Sequence, residues 1–155
     1  MNSNSALQLL NDIDKTLVDI SKISGKDVLT DSFLAKFLVV YICGIYEETI
    51  ETILVDFVKK HSSRLEVVEY ARTTIDESFR NPDGGKLIGL SNKLGNSTLT
   101  SVLKGMSNER IALDSIVNNK NDLAHGRGST TTLADVKGYY ASSRKLIEAF
   151  DTYLF

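Results

Sequence analysis

Residues 33–46 read FLAKFLVVYICGIY, and this stretch decides the class of fold. Its apolar side chains occupy nearly every side of a helix, so the helix must be covered by the rest of a bundle or by a second subunit. Lys36 interrupts the apolar run and Glu47 follows it, which leaves it short of the roughly 20 residues that span a bilayer. We therefore expect a buried core helix and no membrane association.

Apolar side chains recur at helical spacing along the rest of the chain. The pattern predicts about five to six helices, with these approximate bounds: Asn4 or Ser5 to Gly25, Ser32 to Lys60, Arg64 to Phe79, Lys86 to Leu94, Thr98 to Ala124 with a kink near Gly105, and Thr131 or Thr132 to the end. A single proline among 155 residues fits long helices, and this length suits one ordinary domain. We predict one all-α domain over residues 1–155.

The composition restricts the classes of function and the compartment. A net charge of −2 argues against a general nucleic-acid coat, although a local basic patch acting on RNA stays open. The lone Cys43 cannot form an internal disulfide, and its apolar neighbours favour a role as core filler. Residues 1–5 lack the basic and apolar pattern of a signal peptide. We therefore expect a cytoplasmic protein.

The end of the fifth predicted helix conflicts with helical propensity. Four of the five residues 118–122 are Asn or Asp, which form helices poorly. At about 100° per residue, one sector about 100° wide contains a polar stripe of Asn118, Asn121, Asp122 and His125. Such a conflict marks a candidate functional site. An ordinary polar helix end, closed by Gly126 in the left-handed cap position, would have the same pattern.

Other candidate motifs are weaker. The sequence contains no HExxH, CxxC or GxxxxGK[ST] pattern. Gly84–Gly85–Lys86 opens a helix that could hold a phosphate, but a plain turn is the favoured interpretation. His61 follows two lysines at a predicted helix end, where a solvated surface position is expected.

Residues 120–126, Lys-Asn-Asp-Leu-Ala-His-Gly, resemble the Arg-Asn-x-x-Ala-His-Gly signature of the HEPN superfamily, in particular its RiboL-PSP-HEPN type. In that family four to six residues separate an arginine from the histidine, near the end of a late helix. Two further family features are matched: an aromatic–Glu step in an apolar second helix, at Tyr46–Glu47, and an Asn-Pro break before a short helix, at Asn81–Pro82. The resemblance spans roughly residues 33–150.

The resemblance implies a HEPN-like helical bundle that pairs as a two-fold dimer. It also implies a metal-independent endoribonuclease that cuts RNA at the dimer cleft, as toxins and antiviral defence proteins of the family do. The substrate would be an RNA such as tRNA or mRNA, and an antitoxin or regulatory protein would be a further partner. Neither a metal nor another cofactor is implied.

The resemblance also assigns roles to residues of this sequence. His125 would act as general base or acid in the attack of a ribose 2′-OH on the neighbouring phosphate. Lys120 would stabilise the charge on the phosphorus centre, and Asn121 would position a phosphate or the histidine. The supporting or RNA-binding residues would be Glu47, Asp122, Asn118 and Arg127.

The sequence departs from the family at Lys120, which replaces the arginine. Lysine keeps the charge but lacks the planar fork that grips two phosphate oxygens, and Arg127 could supply a guanidinium instead. On an ideal helix Lys120 lies about 140° from His125. Both reach one phosphate only if the last helical turn unwinds, or if Lys120 acts across the dimer interface.

Two alternatives to a nuclease therefore stay open. One is a catalytically silent HEPN-like module that binds RNA or a nucleotide through Lys120, Arg127 and the polar stripe. The other is a protein-interaction domain that uses the apolar helix over residues 33–46 as its dimer or partner surface.

Overall fold

A computed structural model describes the backbone over residues 1–155, which folds into seven helices, and every side chain outside residues 76–78. The helices are α1 (Asn4–Ile23), α2 (Val28–His61), α3 (Leu65–Ser78), α4 (Gly84–Lys93), α5 (Ser97–Gly105), α6 (Ser107–Ala124) and α7 (Leu133–Leu154). The predicted all-α class is confirmed. The count of five to six is wrong, because the kink expected near Gly105 is a complete break at Met106.

Short polar side chains cap the helix starts and account for the differences in the predicted bounds. Ser3 caps α1 by accepting from the Ala6 N–H, and Asp27 caps α2 by accepting from the Thr30 N–H. Both caps lie upstream of the predicted helix starts. Asp31, which directly precedes the predicted start of the second helix, lies in the first turn of α2 and accepts from the Gly25 N–H at 2.9 Å. Helix α2 therefore begins earlier than predicted.

Helix α2 is the centre of the bundle and packs against α1, α3, α6 and α7. Its fully buried side chains recur every three or four residues, at Leu38, Ile42, Tyr46, Ile50 and Ile53. The Tyr46 hydroxyl lies 2.9 Å from the Ser143 hydroxyl, which joins α2 to α7 through a buried hydrogen bond. Helices α6 and α7 pack along each other, so the end of α6 rests on the same core.

One face of the first half of α2 is not covered by the bundle. Leu29, Phe33, Phe37 and Val40, here called the α2 stripe, are each between 51% and 67% exposed. The expectation of a fully buried core helix therefore holds only for the opposite face.

The expectation that the apolar segment is too short to span a bilayer is also wrong. Helix α2 runs for 34 residues, and an 18-residue window of mean hydropathy 1.8 within it is long and apolar enough to cross a membrane. This criterion considers only the length and composition of a helix, and the core helix of a soluble protein meets it as well. Within this window, 28% is buried in the bundle.

Candidate functional site

Helix α6 ends in a tight cap that presents His125 at the surface. Gly126 has φ 69°, the left-handed conformation that glycine adopts without steric cost. The N–H groups of Gly126 and Arg127 donate to the carbonyls of Leu123 and Asp122 at 3.1 and 2.8 Å, which is a Schellman motif. The predicted left-handed cap at Gly126 is confirmed, and His125 is an exposed residue at the helix end.

The His125 imidazole keeps both ring nitrogens available, since no described side chain hydrogen-bonds it or forms an ion pair with it. Arg127, two residues further on, pairs with Asp122 at 3.2 Å between Nη1 and Oδ1, and their side chains are 70% and 45% exposed. An exposed pair of this kind contributes between about 0 and 1 kcal/mol. Arg127 can therefore exchange Asp122 for another anion at little cost.

Asn119, which the sequence did not single out, anchors the loop that follows His125. Its Oδ1 accepts from the hydroxyls of Ser129 and Thr131 at 2.7 and 2.5 Å. Its Nδ2 donates to the Ser115 carbonyl at 2.8 Å, which fixes the amide on α6. The loop is thereby tied to the same helix that carries His125.

Lys120 belongs to a hydrogen-bond network centred on Asn81, which we call the Asn81 network (Glu47, Asn81, Lys86 and Lys120). The Lys120 Nζ donates to Asn81 Oδ1 at 2.5 Å, and the Asn81 N–H donates to Glu47 Oε1 at 2.6 Å. The Lys86 Nζ donates to the Asn81 carbonyl at 3.0 Å. Asn81 has φ 53°, which asparagine tolerates better than most residues. The network joins α2, α4 and α6 through the linker that follows α3.

The buried thiol of Cys43 lies within the field of this network. Burial, and to a lesser degree the Glu47 carboxylate, raise the pKa of Cys43 to about 11 against the opposing positive charges of Lys120 and Lys86. The thiol is therefore protonated near neutral pH and is a poor nucleophile. Cys43 is 0% exposed, which confirms its predicted place in the core.

An open polar cavity of about 430 Å³, here called the α4–α6 cavity, lies between these two helices and the linker before α4. Its lining residues are Asn81, Asp83, Gly85, Lys86, Asp114, Val117, Asn118 and Asn121. The predicted polar stripe therefore borders a cavity through its two asparagines. His125 lies one helical turn beyond Asn121 on the same sector of α6.

The predicted site residues thus fall into two groups. One group lies along the end of α6 and consists of Asn118, Asn121, Asp122, His125 and Arg127. The other consists of Glu47 and Lys120, which both bind Asn81. Within the described chain, no hydrogen bond joins Lys120 to His125. Asn81, which the sequence marked only as part of an Asn-Pro break, and Asp114, which no sequence pattern selected, connect these groups to the start of α4.

The weaker candidates occupy a helix start and a helix end. The Gly84 N–H donates to Asp114 at 2.8 Å and the Lys86 N–H donates to Asp83 at 2.7 Å, so carboxylates occupy the groups that a phosphate would need. His61 is exposed, with its Nδ1 2.8 Å from the Phe57 carbonyl, as predicted for a solvated helix end. Among the described residues, no group of three or more His, Cys, Asp or Glu is placed to hold a metal ion.

The comparison with known families gives a match over nearly the whole chain. The family model of RiboL-PSP-HEPN matches residues 2–155. The chain belongs to the RiboL-PSP-HEPN family. Neither the curated proteins nor the solved structures yielded a match. The predicted resemblance over residues 33–150 therefore extends to include α1.

HEPN domains serve as ribonucleases or as RNA-binding modules, and they often form dimers. Lys120, which the sequence resemblance pairs with the family's arginine, is tied into the Asn81 network. His125, which the resemblance pairs with the family's histidine, is exposed at the end of α6. The two residues that the resemblance selected therefore differ in their exposure and in their partners.

Proposed function

We propose that this HEPN protein is a homodimeric, metal-independent endoribonuclease in which His125 transfers protons. One observation carries this proposal: an exposed imidazole, bound by no described side chain, ends the motif helix of a HEPN domain. An imidazole both accepts and donates protons near neutral pH. Asn121, one turn before it on the same sector, supplies an amide that can position the phosphate.

The reaction that suits two imidazoles is transphosphorylation. A neutral imidazole accepts the proton of a ribose 2′-OH, and the 2′ oxygen attacks the adjacent phosphorus. An imidazolium donates a proton to the departing 5′ oxygen, which leaves a 2′,3′-cyclic phosphate and a 5′-hydroxyl. Because one ring cannot be neutral and protonated at the same moment, two copies of His125 in one cleft suit this reaction.

The pentacoordinate phosphorus centre carries extra negative charge that a cation must stabilise. We assign this role to Arg127, because its pair with Asp122 is exposed and weak and its guanidinium can bind two phosphate oxygens. Lys120 is assigned a positioning role, because its ammonium group is bound to Asn81.

A second copy of the chain is proposed to pack on the α2 stripe. The stripe is apolar and exposed, and Gly44 continues the same face with no atom within 4 Å of an added Cβ. The start of α2, at Val28, Asp31 and Ser32, lines a surface cavity together with residues 129–132 of the loop that follows His125 and residues 133–134 at the start of α7. Two-fold pairing through the stripe therefore brings the loops of both copies to the same interface.

Cleavage assays with two histidine variants test the proposal. Single-stranded RNA and tRNA are incubated in EDTA with the wild type, His125→Ala and the matched control His61→Ala, which also removes an exposed histidine at a helix end. We expect cleavage by the wild type and the control, and almost none by His125→Ala. No cleavage by the wild type, or equal cleavage by all three, overturns the assignment.

The hydrogen bond between Lys120 and Asn81 favours a second candidate, a catalytically silent RNA-binding module. A lysine whose ammonium group is held by Asn81 keeps its charge but is not free to move onto a reacting phosphate. This candidate predicts saturable binding of RNA, weakened by Arg127→Ala, with no product after prolonged incubation. Titration and product analysis on the same samples separate the two functions.

A further inference from the structure

The α4–α6 cavity has no part in the proposed proton transfers, and its lining is rich in hydrogen-bond acceptors. Two carboxylates, Asp83 and Asp114, line it together with the amides of Asn118 and Asn121. Val117, which is 4% exposed, adds apolar surface. The volume of about 430 Å³ lies within the range of about 300 to 1,000 Å³ that small-molecule pockets occupy.

The charges of this cavity disfavour a phosphate. The two carboxylates repel an anion, and they already occupy the N–H groups of Gly84 and Lys86 at the start of α4. The ammonium group of Lys86 is bound to the carbonyls of Arg80 and Asn81. The cavity therefore suits an uncharged group that carries N–H donors.

Asp114 offers the acceptors that such a group needs. Its Oδ1 accepts from the Gly84 N–H at 2.8 Å, whereas no described group bonds its Oδ2. Each carboxylate oxygen has two lone pairs, so Asp114 can hold Gly84 and still accept two parallel N–H bonds. Guanine presents two adjacent donors, N1–H and N2–H₂, on its Watson–Crick edge, where adenine and cytosine place an acceptor beside a single amino group.

We propose that the α4–α6 cavity is a base-recognition subsite that accepts a guanine of single-stranded RNA through Asp114, with Asn118 binding its other polar atoms and Asn121 left to position the phosphate. This inference rests on the proposed action of His125 on RNA. Asp114, Asn118 and Asn121 lie about 16.5, about 10.5 and about 6 Å before His125 along the helix axis. A guanine held by Asp114 would therefore bring a neighbouring phosphate of the strand, and not its own, to the imidazole, so the subsite selects which bond is cut.

Binding to the uncleaving variant His125→Ala tests the subsite without relying on activity. Fluorescence anisotropy compares labelled oligouridylates that carry one central guanosine, inosine or adenosine. We expect guanosine to bind about five- to hundred-fold more tightly than adenosine, which is the discrimination that one bidentate contact provides. Inosine should fall between them, because it keeps N1–H and lacks the 2-amino group.

Asp114→Asn, added to His125→Ala, should abolish the guanosine preference. The amide keeps an oxygen for the Gly84 N–H but replaces the second acceptor with a donor. Asp19→Asn is the matched control, because among the described side chains that exposed aspartate pairs with Lys22 alone, on the surface of α1. If Asp114→Asn does not fold, Asn118→Ala removes an exposed side chain of the same cavity and should reduce the preference.

The outcomes separate this inference from the proposed function. Equal binding of the three oligonucleotides, or a preference that survives both cavity substitutions, overturns the subsite. A preference that depends on Asp114 without any cleavage by the wild type supports the subsite and rejects the nuclease. Cleavage without a guanosine preference supports the nuclease and rejects the subsite. If no oligonucleotide binds, both are rejected.

Discussion

The Asn81 network and the His125 end of α6 carry the two halves of one short motif in contrasting surroundings. In the network, Lys120 is half-buried and its ammonium group binds Asn81, which Glu47 holds in turn. At the helix end, His125 is exposed and no described side chain binds it. The contrast is between a lysine that hydrogen bonds hold within the fold and a histidine that is open to solvent. Substitutions on the two sides should therefore affect different measurements.

The largest effect is expected from His125→Ala, on activity alone. Loss of a general acid–base group lowers a rate by about 10²- to 10⁴-fold. The side chain is exposed and unpaired among the described residues, so the melting temperature should stay at the wild-type value. Cleavage rates and thermal melts of one preparation check both statements. A lower melting temperature would show that His125, like Lys120, stabilises the fold.

The next largest effect is expected from Phe37→Glu on dimerisation. The substitution places a charge in the proposed α2 interface, where an unpaired buried charge costs several kcal/mol, so the dimer should dissociate at least ten-fold more readily. Tyr70→Glu is the control, because Tyr70 is a 75% exposed aromatic residue on α3. Sedimentation at micromolar concentration reports the change. A wild type that is already monomeric, or a Phe37→Glu protein that stays dimeric, would contradict the proposed interface.

Lys120→Met should lower stability more than Lys26→Met does. It leaves the side-chain oxygen of Asn81 without its donor, and an unsatisfied polar group of this kind costs about 1 to 3 kcal/mol. Lys26 is exposed and lies between α1 and α2, so its replacement should be nearly neutral. Urea unfolding of both variants measures the difference. Equal free energies of unfolding would mean that the network does not stabilise the fold.

The smallest effect is expected at Cys43, beside the network. Burial raises its pKa to about 11, so the thiol stays protonated at pH 8 and a thiolate forms only as the pH approaches that value. Iodoacetamide at pH 8 should leave the native protein unmodified and should label it after unfolding in urea. Mass spectrometry counts the adducts, and rapid labelling of the native protein would show that the thiol is accessible.

Local patterns predicted the helices well because helical spacing is a property of neighbouring residues. Apolar periodicity located every helical segment, and glycines marked the ends of α1, α4 and α6. The angle of about 140° between Lys120 and His125 on an ideal helix agrees with their different surroundings. The break at Met106 was predicted only as a kink near Gly105, because the apolar positions continue in register across it. The uncovered α2 stripe was missed because the apolar stretch alone does not show which face a neighbour covers.

The partners within the candidate site could not be predicted, because they are distant in the sequence. Lys120 binds a residue 39 positions away, and Gly84 binds Asp114, 30 positions away. No periodic pattern reports such a pair. Asn81 was visible only as part of an Asn-Pro break, whereas the structure makes it the centre of a network. The polar stripe at the end of α6 follows from helical spacing alone, and the sequence therefore located it.

The end groups of cleaved nucleic acid test the central claim, which is proton transfer by His125 during attack of a ribose 2′-OH. The substrate is an oligodeoxynucleotide that contains a single ribonucleotide, incubated with protein in EDTA. We expect one cut, directly after the ribonucleotide, that leaves a 2′,3′-cyclic phosphate and a 5′-hydroxyl and disappears in His125→Ala. Cuts at deoxynucleotides, or products with a 5′-phosphate, would contradict this mechanism.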